Sequence, residues 1–291
     1  MKKRPMIKSQ IPNLDSRYIF FGTPDFAATI LNKLIGAGLT PLAVVTNPDR
    51  PVGRKKVVTP PPVKQCLLKF HFNRVEILQP EKMDEDFIKQ LRSCNAEVGV
   101  LAAYGKVIPK AVIDVFPKGI IVVHPSLLPK YRGATPIQSA ILAGESETGT
   151  ALILMDEKVD HGAIISNSKI QISNDDTYVT LSKKLAEASA DLLIKTLPDY
   201  LGGKIVPKAQ DHAHATYTKK FSSEDGFVDL EKNSPEEIWR KVRALNPEPG
   251  VFTLRQAQGK PQRMKILEAD LVDGKLVLKK VQMEGGKSIQ N

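Results

Sequence analysis

His124 and Asp160 are the side chains of this sequence best suited to move protons. His124 follows an apolar run, residues 120–123, and precedes a loop in which Pro125 and Pro129 oppose helix formation. Asp160 follows a second apolar run, residues 148–155. An imidazole titrates near neutrality, and a neighbouring carboxylate can hold its tautomer and stabilise its charged form. Each residue alone also has a plainer reading. His124 could be a hydrogen-bonded core residue at a strand end, and Asp160 a turn former ahead of Gly162.

Other candidate chemistry is sparse. The chain's 2 cysteines, Cys66 and Cys94, stand at no metal-ligand spacing, which argues against a disulfide scaffold and a zinc site. His212 and His214 bring no further ligands, so a polar linker is expected there and no metal. Charge is more informative. The formal net charge is +10, and residues 47–69 carry Arg50, Arg54, Lys55, Lys56, Lys64 and Lys69 against the single acid Asp49. A concentrated basic patch suits phosphate contacts better than a uniform excess does, although a solvated basic loop is the commoner reason for one. Lys219 and Lys220, with Arg240, Lys241 and Arg243 on a predicted helix, are further candidates for phosphate contact. Cations near a helix C-terminus can equally complement its dipole.

The elements that must position these groups follow from apolar periodicity. A strand at 18–21 ends in Gly22-Thr23-Pro24, a helix runs from 25 to about 35, and a strand at 41–46 follows. Strand, glycine turn, helix, strand is the opening of a Rossmann-like α/β sheet. Further strands are expected at 75–78, 97–103, 119–123 and 148–155, with helices at 84–92, 110–115 and 136–143. Residues 47–63 contain five prolines and are expected to be irregular. A long amphipathic helix is predicted at 177–201, with Leu181, Leu185, Ala188 and Leu192 facing the sheet. From Tyr217 the texture changes to a helix at 235–245, with Trp239 in the core, and short strands at 251–254, 264–269, 270–272 and 275–281. That spacing predicts a small β-barrel. The polar stretch 255–263 reads as a hairpin loop. Residues 1–17 lack an apolar core for a secretory signal and read as a flexible basic leader. No apolar run reaches the roughly 20 residues of a membrane span, so no membrane association is expected, and a cytoplasmic setting is.

The block GIIVVHPSLLPKYRGATPIQSAILAGESETGTALILMDEKVDHGAII resembles the folate-dependent formyltransferases, whose site is written N-x-H-P/G-S-L-L-P followed later by D-x-G. His124, Ser126 to Pro129 and Asp160 fit that pattern, while Val122 occupies the position of the Asn. The resemblance implies an α/β Rossmann-like catalytic domain, residues 18–206, followed by a small OB-like β-barrel domain, residues 207–291. It implies formyl transfer from 10-formyltetrahydrofolate, with His124 and Asp160 as the catalytic pair. Ser126, Leu127, Leu128 and Pro129 would line the folate, together with Ala103, Tyr104 and Gly105. The Asn amide of the family donates to the developing oxyanion, and a valine cannot. Compensation by the imidazolium and backbone N–H groups, compensation by another side chain, and weak catalysis all remain open. The segment PDRPVGRKK, residues 48–56, resembles the loop with which one branch of the family meets the acceptor stem of methionyl-tRNA. The acceptor implied is therefore initiator methionyl-tRNA, held by Arg50, Arg54, Lys55, Lys56, Lys219, Lys220, Arg240 and Arg243, and a monomer is expected. Another folate-dependent formyltransferase or hydrolase, or a catalytically weak tRNA- or folate-binding protein, are the alternatives.

Overall fold

A computed structural model describes residues 17–53, 55–69, 75–257, 260–284, 286 and 288–290 of the 291. The predicted leader, apart from Arg17, lies outside the described residues. In chain order the elements begin β1 (Tyr18–Gly22), α1 (Asp25–Gly36), β2 (Ala43–Val45), β3 (Arg50–Val52), β4 (Val57–Thr59), α2 (Pro62–Lys69), β5 (Glu76–Leu78), α3 (Glu85–Ser93) and β6 (Val98–Ala102). They continue with α4 (Lys110–Ile113), β7 (Ile120–His124), β8 (Arg132–Gly133), α5 (Pro136–Ala143), β9 (Glu147–Leu154), β10 (Ile164–Gln171) and α6 (Tyr178–Leu201). Last come β11 (Tyr217–Thr218), α7 (Pro235–Leu245), β12 (Val251–Ala257), β13 (Lys260–Val272), β14 (Lys275–Met283) and β15 (Ser288–Gln290).

Seven strands form one sheet in the order β10-β9-β7-β6-β1-β2-β5. β5, β2, β1, β6 and β7 run parallel, and β9 returns antiparallel to β7. Strand alternation builds a core on each face. Tyr18, Phe20, Val98, Val100, Ile121 and Val123 meet α1 and α6 on one side, whereas Ile19, Phe21, Ala43, Val45 and Ile120 meet α3 and α4 on the other. Each fully buried Leu, Ile or Phe contributes on the order of 1.5–3 kcal/mol. At Gly22 a Cβ would lie 2.6 Å from the Ala27 Cβ and 3.0 Å from the Ala102 carbonyl oxygen, so only glycine lets α1 start this close to the sheet.

The chain divides into two compact units. One holds the described residues up to His124 with Thr150–Ser168 and Ala186–Gln210, and the other holds Pro125–Gly149, Lys169–Leu185 and Asp211–Asn291. The second unit contains the four-stranded antiparallel sheet β12-β13-β14-β15 and helix α7, whose contacts are with α5 and with the strands β12, β13 and β14. An isolated parallel bridge joins Phe227 to Phe252.

Several local expectations change. The Pro-rich stretch holds the hairpin β3–β4, paired from Arg50↔Thr59 to Val52↔Val57, and Pro62 opens α2, since a proline is tolerated in the first helical turn. The buried face of α6 is Leu181, Leu185, Ala186, Ser189, Ala190, Leu193, Thr196 and Leu197; Ala188 and Leu192 fall at its margin. The stretch read as a hairpin loop is mostly strand, with β12 and β13 paired out to Ala257↔Lys260. Strand β10 has no counterpart among the predicted elements.

Candidate active site

His124 is the last residue of β7, paired across to Ala151 of β9, and is only 4% exposed. Its backbone carbonyl faces the Thr150 hydroxyl at 3.5 Å, and that hydroxyl shares a 2.7 Å hydrogen bond with Ser189. The turn between β9 and β10 carries Asp160 back to it. The turn closes through the Leu154 N–H donating to the Ala163 carbonyl at 2.9 Å, and the Met155 N–H donating to that of Ile120 at 2.8 Å. Gly162 is obligatory there, because a Cβ would fall 1.7 Å from the Leu154 carbonyl oxygen. Asp160 has φ +49°, in the left-handed region. Its Oδ2 lies 3.5 Å from His124 Nδ1. A proton held on Nδ1 toward the carboxylate leaves Nε2 as the acceptor, which is the arrangement of a general base.

Val122 sits two residues before His124, on the same side of the strand, and is 8% exposed. It lies between Leu101 of β6 and Ile153 of β9 and offers no donor. At the end of β6 the chain turns sharply, with Ala103 at φ +47° and Gly105 at φ +83°, both exposed. Tyr104 between them points inward. Its ring packs edge-on to Phe21 at 5.8 Å within the sheet core, and its buried hydroxyl has no hydrogen-bond partner among the described residues. Burial pushes its phenol up to about 12. The Tyr104 side chain fills the core, and its carbonyl is engaged locally, by Thr23 Oγ1 at 3.2 Å and Asn47 Nδ2 at 3.4 Å.

The loop after β7 belongs to the second unit. Ser126 is fully buried and its hydroxyl donates to the Lys130 carbonyl at 2.7 Å. That bond closes the loop. Leu128 is 7% exposed, while Leu127 and Pro129 are half-buried. Arg132, just beyond, is the largest fully buried side chain, with its guanidinium 3.1 Å from the Tyr217 hydroxyl and 2.9 Å from His212 Nδ1. A guanidinium can only donate, so Nδ1 of His212 accepts.

Sequence comparison adds the decisive observation. A family model described as "Formyl transferase" matches residues 16–197, and one described as "Formyl transferase, C-terminal domain" matches residues 220–280. The chain belongs to the formyl transferase family. Among its relatives, the methionyl-tRNA formyltransferase of Caldicellulosiruptor saccharolyticus is 40% identical over 93% of each chain. That of Halalkalibacterium halodurans is 43% identical over 88% of this chain and 78% of the relative. Two solved structures share the fold. The N-formyltransferase of Helicobacter canadensis, in complex with folinic acid and dTDP-3-aminofucose, superposes with a TM-score of 0.66 at 17% identity, over 94% of this chain and 98% of its own. The methionyl-tRNA formyltransferase of Clostridium thermocellum gives 0.59 at 18% identity, over 94% and 99%.

The basic residues of this formyl transferase chain fall into two groups. Among the described residues Lys55, Lys56 and Lys220 are exposed and make no ion pair; Arg50 is exposed too, with an ion pair to Glu81 at 2.5 Å that solvent can easily replace. Arg54 lies outside the described residues. Lys219 binds Asp225 at 2.8 Å; this bond, with those from Ser222, holds that carboxyl down at about 2. Arg240 pairs with Glu236 at 2.6 Å. Arg243 is only 8% exposed and donates to the carbonyls of Asp176 and Ser173, both at 2.8 Å, with its guanidinium 4.3 Å from the Trp239 ring centroid. Arg243, expected at a phosphate contact, here ties α7 to the residues before α6, and Trp239 is half-buried beneath it. Lys64 is likewise committed, to both oxygens of Asp49 and to Gln79.

Sequence reading passed over Arg132 and Gln210. Both are polar side chains in unremarkable sequence surroundings, and the only available signal was a charged residue three positions past the SLLP loop. Among the described residues no group of three or more His, Cys, Asp or Glu could hold a metal ion, and no helix is long and apolar enough to cross a membrane.

Proposed function

We propose that this chain transfers the formyl group of 10-formyltetrahydrofolate to the α-amino group of initiator methionyl-tRNA. The observation that carries this reading is the His124–Asp160 pair, in a chain whose relatives named methionyl-tRNA formyltransferase are about 40% identical over most of its length. The neutral amine attacks the formyl carbon, the carbonyl oxygen becomes an oxyanion, and the bond from that carbon to N10 then breaks. His124 Nε2 accepts the proton lost by the amine and returns it to N10, so tetrahydrofolate leaves neutral at that nitrogen. Asp160 orients the imidazole and stabilises its cationic form. With Val122 present, the oxyanion rests on the imidazolium and on backbone N–H groups, and chemistry proceeds more slowly than with an amide donor.

Leu127, Leu128 and Pro129 supply an apolar wall for the folate, and the exposed turn at Ala103 and Gly105 supplies backbone groups. Arg50, Arg54, Lys55 and Lys56 meet the acceptor end of the tRNA, with Lys219, Lys220 and Arg240 adding contacts from residues 207–291. The enzyme acts as a cytoplasmic monomer and needs no metal. The test is direct: purified protein, 10-formyltetrahydrofolate and charged initiator methionyl-tRNA, with formyl-methionyl-tRNA followed over time. The expected result is product formation that falls about 10²–10⁴-fold in His124→Ala. Formylation of a free amino sugar or amino acid without tRNA, or folate and tRNA binding with no turnover, would overturn the reading.

A further inference from the structure

We propose that Gln210 is a positioning residue that sets the place of Asp160 relative to His124; this rests on the functional reading above. Asp160 adopts a left-handed backbone conformation, φ +49°, which an aspartate tolerates better than most residues but which still makes the turn depend on the contacts of its carbonyls. Gln210 supplies such contacts from fifty residues downstream. Its Nε2 donates to the Asp160 carbonyl at 2.9 Å and to the Gly162 carbonyl at 2.8 Å, using both amide hydrogens on one turn. Gln210 is itself 5% exposed.

Its backbone is fixed as well. Two residues earlier, Lys208 exchanges both hydrogen bonds of an antiparallel bridge, at 2.7 and 2.8 Å, with Ile164, the first residue of β10. The turn is thus pinned at its base by Leu154 and Ala163, at its exit by Lys208, and at the two carbonyls flanking His161 by Gln210. The Oδ2–Nδ1 separation of 3.5 Å is at the outer edge of a hydrogen bond. A displacement of a few tenths of an ångström therefore decides whether the carboxylate orients the ring, and misplacement by about 1 Å can cost 10²-fold in rate.

Leucine at 210 keeps the volume and removes the donors, whereas a purely structural loss would slow every background alike. The experiment compares the full-length native chain, Gln210→Leu, Asp160→Ala and the double variant, reading kcat, KM for tRNA and the 15N shift of His124 Nδ1. Gln210→Leu is expected to lower kcat about 10–10²-fold with KM changed less than about threefold, and to change kcat less than about twofold once Asp160 is alanine. The Nδ1 shift should move toward its value in Asp160→Ala, and move no further in the double variant. That spectrum needs no turnover, so it tests Gln210 even if the assay above yields no product. An equal fold-loss in both Asp160 backgrounds, or a native Nδ1 shift in Gln210→Leu, would overturn the proposal. If Gln210→Leu unfolds, Gln210→Asn, which retains the amide but is one methylene too short to span both carbonyls, takes its place with the same expected and overturning results.

Discussion

Two residues in the described chain leave hydrogen-bonding needs unmet in opposite senses. Val122 offers nothing where a donor would serve the proposed reaction, and Tyr104 carries a donor with nothing to meet it. Val122→Asn is expected to raise kcat by about tenfold or more, since one oxyanion donor is worth roughly 10²–10³ in rate. The same change places an amide between Leu101 and Ile153 and should lower stability by about 1–3 kcal/mol in the absence of substrate. A lower kcat in a folded variant would show that the site already has a donor that the amide displaces. For Tyr104 the folded phenol is raised to about 12 by burial, against about 10 when unfolded. Both states are protonated below pH 10, so the stability contribution is complete there. Above pH 10 the unfolded state loses its proton first, and stability falls as pH rises toward 12. Tyr104→Phe should reduce that alkaline decline in urea titrations and cost little near neutrality, because the hydroxyl removed has no partner among the described residues.

At the level of elements, Arg243 decides between a nucleic-acid contact and a brace. Its two carbonyl acceptors and its seat on Trp239 make it a brace between α7 and the segment 173–176. Arg243→Ala is expected to cost about 2–3 kcal/mol in chemical denaturation, and Arg243→Lys should recover little, because one ammonium does not reproduce the fork. Lys220→Ala should leave stability within about 0.5 kcal/mol and act on tRNA affinity alone. This distinction was invisible in the sequence, where both residues are simply basic. What periodicity could reveal it did: the strands around residues 18–22, 98–102 and 120–124 are apolar runs with no alternative use. Strand β10, IISNSKIQ, escaped notice because its exposed positions at the sheet edge are Asn167, Lys169 and Gln171 and two serines interrupt its other face. Helix α2 escaped because prolines 60–62 read as breakers, although the last of them starts it. The pairing of His124 with Asp160 came from the family pattern. Spacing alone does not say which turn folds back on which strand. Gln210 was beyond reach because it acts on backbone carbonyls, which leave no trace in residue type.

Over the whole molecule, the formal charge of +10 supplies long-range attraction to a polyanion, but cations tied into the fold by several bonds, such as Lys64 and Arg243, convert little of it into contacts. Replacing Arg50, Lys55 and Lys56 together by alanine should weaken methionyl-tRNA binding and reduce the slope of log affinity against log salt by about 2–3, measured between 50 and 200 mM salt. Lys64→Ala should leave that slope in place, since its ammonium is already held by Asp49 and Gln79. The discontinuous make-up of the second unit has a consequence for the order of synthesis. Residues 125–149 emerge from the ribosome long before 211–291, yet Arg132 of β8 finds its strand partner only in Tyr217 of β11. At roughly 5–20 residues per second, the SLLP loop and the buried arginine behind it wait about 4–17 s for that strand. Through that interval a guanidinium destined for complete burial stands in water, and the first unit must complete its own sheet without them.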